Sequence, residues 1–241
     1  MAILISFIAA SLPAVLIYFW MKNKIRKPAD EHFKKSCSAS LKNGFLTVLP
    51  VCLLSASFTI FFNVCGLKDG TSFMASALHD FIAIALAEEL AKSYMFSRVL
   101  KKTDYAYTWL DMIIFMVSVS IGFQLIESVL YAFLTSPGQI IVRGITLMHG
   151  GYGFIEGWFY GKAKHTGNKL YGLTGFMIVW LMHGMYDFGL SPAFEALGDW
   201  SAFPSVTLAL IALITLIVMI IFFARKKKEK YLLPLADGHR E

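Results

Sequence analysis

Leu86-Ala87-Glu88-Glu89-Leu90-Ala91-Lys92 places two carboxylates and an ammonium inside a long apolar run. On insertion scales each such charge costs about 2.5–3.5 kcal/mol near the centre of a bilayer. Glu88 and Lys92 are four apart, so a helix stacks them on one face where they can pair. Glu89 points about 100° away, toward a neighbouring helix or a cavity. A pair alone would be a neutralised charge that tolerates burial. Glu89 breaks that balance, and later apolar runs carry more ionisable groups: Glu127, then Arg143, His149 and Glu156, then His183 and Asp187. Carboxylates and imidazoles gathered away from bulk water can take and return protons, pass them along, or ligate a metal ion.

Spacing groups them further. Phe123, Glu127 and Tyr131 recur at four and form one helical face, with an aromatic ring on each side of a carboxylate. His183 and Asp187 share a face, so the carboxylate can sit beside the imidazole. His149 and Glu156 are seven apart, on one face but about 10 Å apart along the axis. Gly153, Gly157 and Gly161 make a small-residue ridge that lets one helix approach another closely. Glu156 lies deeper than the others and is left out of the site. Phe123 and Tyr131 are read as packing, and His79-Asp80 as interfacial.

The elements that must position these groups are membrane spans. The chain has 241 residues, 57% apolar and only 16% charged, with a mean hydropathy of +0.62; a soluble domain carries about 25% charge. The expectation is an all-α, polytopic transmembrane bundle of about seven spans, forming one domain over residues 1–241 with the ionisable groups in a core at about 81–190. The spans are read at Ala2–Trp20, Gly44–Gly66, a third run opening at Thr71 or Phe81 and ending near Leu100, Trp109–Leu134, Ile140–Gly161, Leu170–Leu190 and Phe203–Ala224. Met21–Asn43 reads as a basic connector, and Thr135–Gln139, with Pro137-Gly138, as a turn. Cys37, Cys52 and Cys65 have no metal spacing and imply no disulfide framework.

Charge distribution orients the bundle. With the N-terminus outside and the C-terminus in the cytoplasm, nineteen of the 22 Lys and Arg residues fall in inner segments and only Lys68 in an outer one. Lys92 and Arg143 lie within spans. The net charge of +6 therefore reads as lipid headgroup contact and a basic cytoplasmic tail at 225–241, not as nucleic-acid binding. At about 1.5 Å per residue, Glu127 and His183 lie roughly 10 Å from the outer ends of their spans and His149 roughly 13 Å in. Glu88 matches that depth only if its span begins at Phe81, so residues 71–80 are expected to be interfacial or protruding, and the site to lie in the outer half of the bilayer.

Glu-Glu-x-x-Lys, Phe-x-x-x-Glu and His-x-x-x-Asp, in order on separate spans, resemble the PrsW family of intramembrane proteases, relatives of the CAAX-processing and bacteriocin-processing membrane proteases. The resemblance covers about Phe81–Leu190, including the Arg143 to His149 region. It implies hydrolysis of a peptide bond by a glutamate-activated water, with no metal, no cofactor and no covalent intermediate. Glu88 takes the place of the general base, with Glu89 and Lys92 completing its motif. Glu127 stands where the CAAX-type relatives have histidine and would pair with Glu88, two carboxylates sharing a proton. His183 stands at an oxyanion donor. Asp187 stands where those relatives have asparagine, and it must be protonated to donate or else orient His183. His149 and Arg143 are supporting residues. The implied substrate is a single-pass membrane protein such as an anti-sigma factor, cut near the outer face of a bacterial plasma membrane.

Two other classes stay open on the residues alone. A proton- or ion-coupled transporter also lines a bundle with Glu, His and Asp, although no inverted repeat is visible. A metal-dependent membrane hydrolase could use Glu and His ligands, although there is no His-Glu-x-x-His.

Overall fold

A computed structural model describes residues 2–25, 31–101, 108–131, 147–196, 198 and 203–224. Among these residues the chain is helical, with no strand. The helices are α1 (Ala2–Trp20), α2 (Glu31–Leu46), α3 (Val48–Val64), α4 (Phe73–Leu78), α5 (Ala87–Leu100), α6 (Trp109–Tyr131), α7 (Met148–Thr166), α8 (Lys169–Phe188), α9 (Pro192–Glu195) and α10 (Phe203–Ala224). Two π-helical stretches, Met21–Ile25 and His79–Leu86, follow α1 and join α4 to α5.

The bundle is built around α6. Residues 110 to 124 of this helix are all buried, covered by α1, α2, α5 and α7, as expected of a helix apolar all round. Its start is fixed by a reciprocal cap: the Thr108 N–H donates to Asp111 Oδ2 at 2.8 Å, and the Asp111 N–H donates to Thr108 Oγ1 at 3.2 Å. Asp111, not singled out by sequence, is thus a capping group. Glycines set the spacing around α6. A Cβ on Gly157 would lie 2.8 Å from Ile113 Cα, and one on Gly122 would lie 2.3 Å from the Leu41 carbonyl oxygen. Both α7 and α2 therefore pack on α6 nearly backbone to backbone.

Three helical stretches among the described residues are long and apolar enough to cross a membrane: Glu31–Val64, Trp109–Tyr131 and Phe203–Phe222. Large apolar side chains such as Leu53 (70% exposed) and Val64 (82% exposed) project outward from α3. With Leu210 and Ile214 of α10, they form the apolar exterior that lipid, not water, accommodates.

Several boundaries differ from expectation. The connector read at Met21–Asn43 is largely helix: α2 buries Phe33, Cys37 and Gly44 against the core while Lys34, Lys35 and Lys42 stay outside it. Residues 73–80 form the first turns of a helical path into α5. Ser72 caps that path by accepting from the Ala75 N–H, and Phe73 packs edge-on against Phe188 at 4.9 Å. Helix α6 is followed as far as Tyr131, the last described residue before Leu147, and α7 begins at Met148, where Leu147 adopts a left-handed conformation (φ 45°, ψ 41°). The turn at Pro137-Gly138, the start of the fifth span at Ile140, Arg143 and the basic tail lie outside the described residues.

Candidate active site

Four helices each bring part of one buried polar cluster. From α5, Glu88, Glu89 and Lys92 point inward, at 6%, 1% and 0% exposure. The ion pair expected between Glu88 and Lys92 is loose: Lys92 Nζ lies 4.0 Å from Glu88 Oε2 but 2.7 Å from Glu89 Oε1. A lysine stem reaches the i−3 and i−4 carboxylates equally well; the neighbouring helices decide. Glu89 also meets His183 Nδ1 of α8 at 2.6 Å, so it bridges α5 to α8. Burying Glu89 and Lys92 is tolerable only because each of them has close partners.

From α6 comes Glu127, whose Oε2 lies 2.8 Å from His149 Nε2 of α7. Glu88, the expected partner, stands near enough to feel its charge, and the hydrogen-bonding contact is with the histidine. His149 reaches in the other direction to Lys92, with Nδ1 3.0 Å from Nζ. Phe123 stands edge-on to the His149 ring at 5.3 Å and offers its face to the Lys92 ammonium at 5.1 Å. It is therefore a wall of the cluster and not distant packing.

From α8, His183 and Asp187 share a face, and Asp187 Oδ2 lies 3.2 Å from His183 Nε2. The same nitrogen is 3.7 Å from Glu88 Oε2. Helix α8 is locked to the π stretch by the Trp180 indole, which donates to the Phe81 carbonyl at 2.6 Å. It is also held close by Gly184, where a Cβ would lie 2.4 Å from the Phe81 ring. These contacts set His183 opposite Glu88 and Glu89.

Glu88, Glu89, Lys92, Glu127, His149, His183 and Asp187 are thus gathered in one place, and Arg143 lies outside the described residues. Glu156 is buried apart from them, accepting from the Ser93 hydroxyl. Glu127, His149, His183 and Asp187 line a narrow cavity with room for roughly one water molecule, together with Gln124, Ser128, Met148 and Tyr186. These last four were not anticipated from sequence. Neither was Tyr152, whose ring lies 5.6 Å from that of His183 and 6.4 Å from that of His149. Its signal was present: Tyr152 is three after His149 and four before Glu156, on the face both share.

Two features bear on chemistry. Glu88 Oε2 has no hydrogen-bond partner among the described residues, although the atom is buried. In addition, Glu88, His149 and His183 each bring a possible metal donor to within 4.8 Å of the others.

Comparison with known proteins places this architecture. The family model described as PrsW family intramembrane metalloprotease matches residues 37–224. The chain is similar to a protein named Protease PrsW from Oceanobacillus iheyensis, 29% identical over 94% of this chain and 96% of that protein. A second Protease PrsW, from Clostridioides difficile, is 27% identical over 94% of this chain and 91% of its own. A third, from Shouchella clausii, is 30% identical over 61% of this chain and 66% of its own. No solved structure matches.

Proposed function

Because the chain belongs to the PrsW family of intramembrane proteases, we propose that it hydrolyses one peptide bond of a single-pass membrane protein with a water activated by Glu88. The observation that carries this reading is the state of Glu88. Its carboxylate is buried, its Oε2 lacks a hydrogen-bond partner among the described residues, and it faces His183 Nε2 at 3.7 Å. A buried carboxylate oxygen left open needs an explanation, and a water to be deprotonated supplies one. Glu88 takes a proton from that water as its oxygen bonds to the scissile carbonyl carbon. The C–N bond then breaks, and the proton passes from Glu88 to the departing amine. His183, held by Glu89 and Asp187, stands beside the forming charge. Glu127 orients His149, and Lys92 balances Glu89.

The family description raises a metal ion, and the residues do not fit one. Of the two nitrogens His149 could offer, Nδ1 faces the Lys92 ammonium at 3.0 Å and Nε2 is held by Glu127. The same ammonium is 4.0 Å from Glu88 Oε2, so a divalent cation there would face a resident positive charge with little between them. No step is assigned to a metal.

The substrate class is a single-pass membrane protein such as an anti-sigma factor. Seven spans, an outer N-terminus, a site in the outer half of the bilayer and a multi-pass location in a bacterial plasma membrane belong to the same proposal. It is supported by the separation of basic residues along the chain and by the apolar exteriors of α3 and α10.

The test is cleavage, by purified protein in detergent, of membrane proteins that accumulate uncut in a deletion strain. Glu88→Gln, Glu127→Gln and His183→Ala are compared with wild type. Loss of cleavage in Glu88→Gln with folding intact is expected; full activity in that variant overturns the scheme.

A further inference from the structure

We propose that Tyr152 is a further catalytic residue, its hydroxyl donating a hydrogen bond to the scissile carbonyl oxygen as that oxygen becomes an oxyanion. The proposal rests on the reading that Glu88 activates the attacking water. It follows from the donors around the site, of which Gln124 and Tyr186 each have an interaction of their own. The Lys92 ammonium is taken up by Glu89 and His149. His149 Nε2 is held by Glu127, and His183 Nδ1 by Glu89. His183 Nε2 stands between the carboxylates of Asp187 and Glu88. The Ser128 hydroxyl donates to the Gln124 carbonyl of its own helix. An ionised Asp187 has nothing to donate.

The Tyr152 hydroxyl differs from all of these. The residue is 1% exposed, and its hydroxyl has no hydrogen-bond partner among the described residues. Its ring packs beside both histidines, 5.6 Å from His183 and 6.4 Å from His149. It stands on the α7 face that carries His149, and α7 is pinned to α6 by the close approach at Gly157. A phenol is neutral at physiological pH, so it can meet a developing negative charge without introducing a buried cation. A rigidly held donor with nothing to release when that charge forms is what transition-state stabilisation requires. A purely structural tyrosine buried this deeply would spend its O–H on a neighbour.

The experiment compares wild type, Tyr152→Phe and Glu88→Gln as full-length proteins in detergent. The probe is a reporter carrying the transmembrane segment and flanks of a membrane protein that accumulates uncut in a deletion strain, and each protein's thermal unfolding is followed in parallel. Tyr152→Phe is expected to lower kcat by about 100-fold and leave KM within about threefold. Its Tm should equal or exceed that of wild type, because the lost hydroxyl held no partner. A kcat within about threefold of wild type, beside an inactive Glu88→Gln, overturns the role of Tyr152 and leaves the glutamate scheme standing. A lowered Tm, with activity recovered on cooling, overturns it as well by showing a structural hydroxyl. Full activity in Glu88→Gln removes the scheme itself and this proposal with it.

Discussion

The Lys92 ammonium lies 3.0 Å from Nδ1 of His149, two buried groups from helices α5 and α7 that meet inside the cluster. The protein's own cation thus sits where a metal ion would draw the histidine. Chelators such as EDTA and 1,10-phenanthroline are expected to leave cleavage unchanged, and mass spectrometry of purified protein should find less than stoichiometric zinc. Loss of activity on chelation, restored by a divalent metal, would refute this.

Lys92 also neutralises Glu89. Lys92→Met should destabilise the protein by about 3–5 kcal/mol, because Glu89 is left as a buried charge short of a partner. Adding Glu89→Gln should recover part of that loss. A double-mutant cycle on thermal unfolding in detergent reads the coupling; additive effects would show that the 2.7 Å contact carries no energy.

Gly157 lets α7 approach α6, and His149 rides on α7. In Gly157→Ala the new Cβ would fall 2.8 Å from Ile113 Cα and 3.1 Å from the Met112 carbonyl oxygen. The expected cost is about 1–3 kcal/mol, with a cleavage loss greater than about tenfold as His149 shifts from Glu127. Gly172→Ala on α8, whose Cβ would meet nothing nearer than 3.7 Å, serves as the control and should be neutral or stabilise by up to about 1 kcal/mol.

His79 lies at the start of the π stretch leading into α5, before the proposed span. The hydrogen bond to Asp80 raises its pKa above the ordinary 6.5, against the opposing effect of partial burial. A histidine raised in the folded state contributes stability fully present below its unfolded pKa and lost as pH climbs through the folded one. An NMR titration should place the His79 midpoint above 6.5 in wild type and lower in Asp80→Asn. An unchanged midpoint would show that the 3.3 Å contact does not hold the proton.

Much of the cluster was legible because chemistry and hydropathy conflict there. Glu88, Glu127 and His183 stand out in apolar runs, and the four-residue spacing of His183 and Asp187 became a 3.2 Å contact. Partner choice was not legible. Lys92 could reach either glutamate from its own helix, and its preference for Glu89 accompanies contacts from α7 and α8 that no local spacing encodes. Likewise, Glu127 met a histidine from the next helix. The helix at Glu31–Leu46 was hidden by its lysines. Phe33, Cys37 and Gly44 recur at helical spacing, yet the charges on the opposite face read as a connector. Tyr152 was visible as spacing, but an aromatic residue on a helix face resembles packing until its hydroxyl proves to lack a partner.

The π stretch at His79–Leu86 makes the count of residues before Glu88 a structural variable. Each i→i+5 closure holds one residue more than an α turn, so the helix enters α5 out of phase with α4. Deleting one residue from this stretch, or adding one, would turn Glu88, Glu89 and Lys92 together by about 100° relative to the turns before them. Helix content would be preserved while the acidic pair faced the wrong neighbours. The length of this segment is therefore part of the site, and a one-residue insertion or deletion there should inactivate the protein without unfolding it.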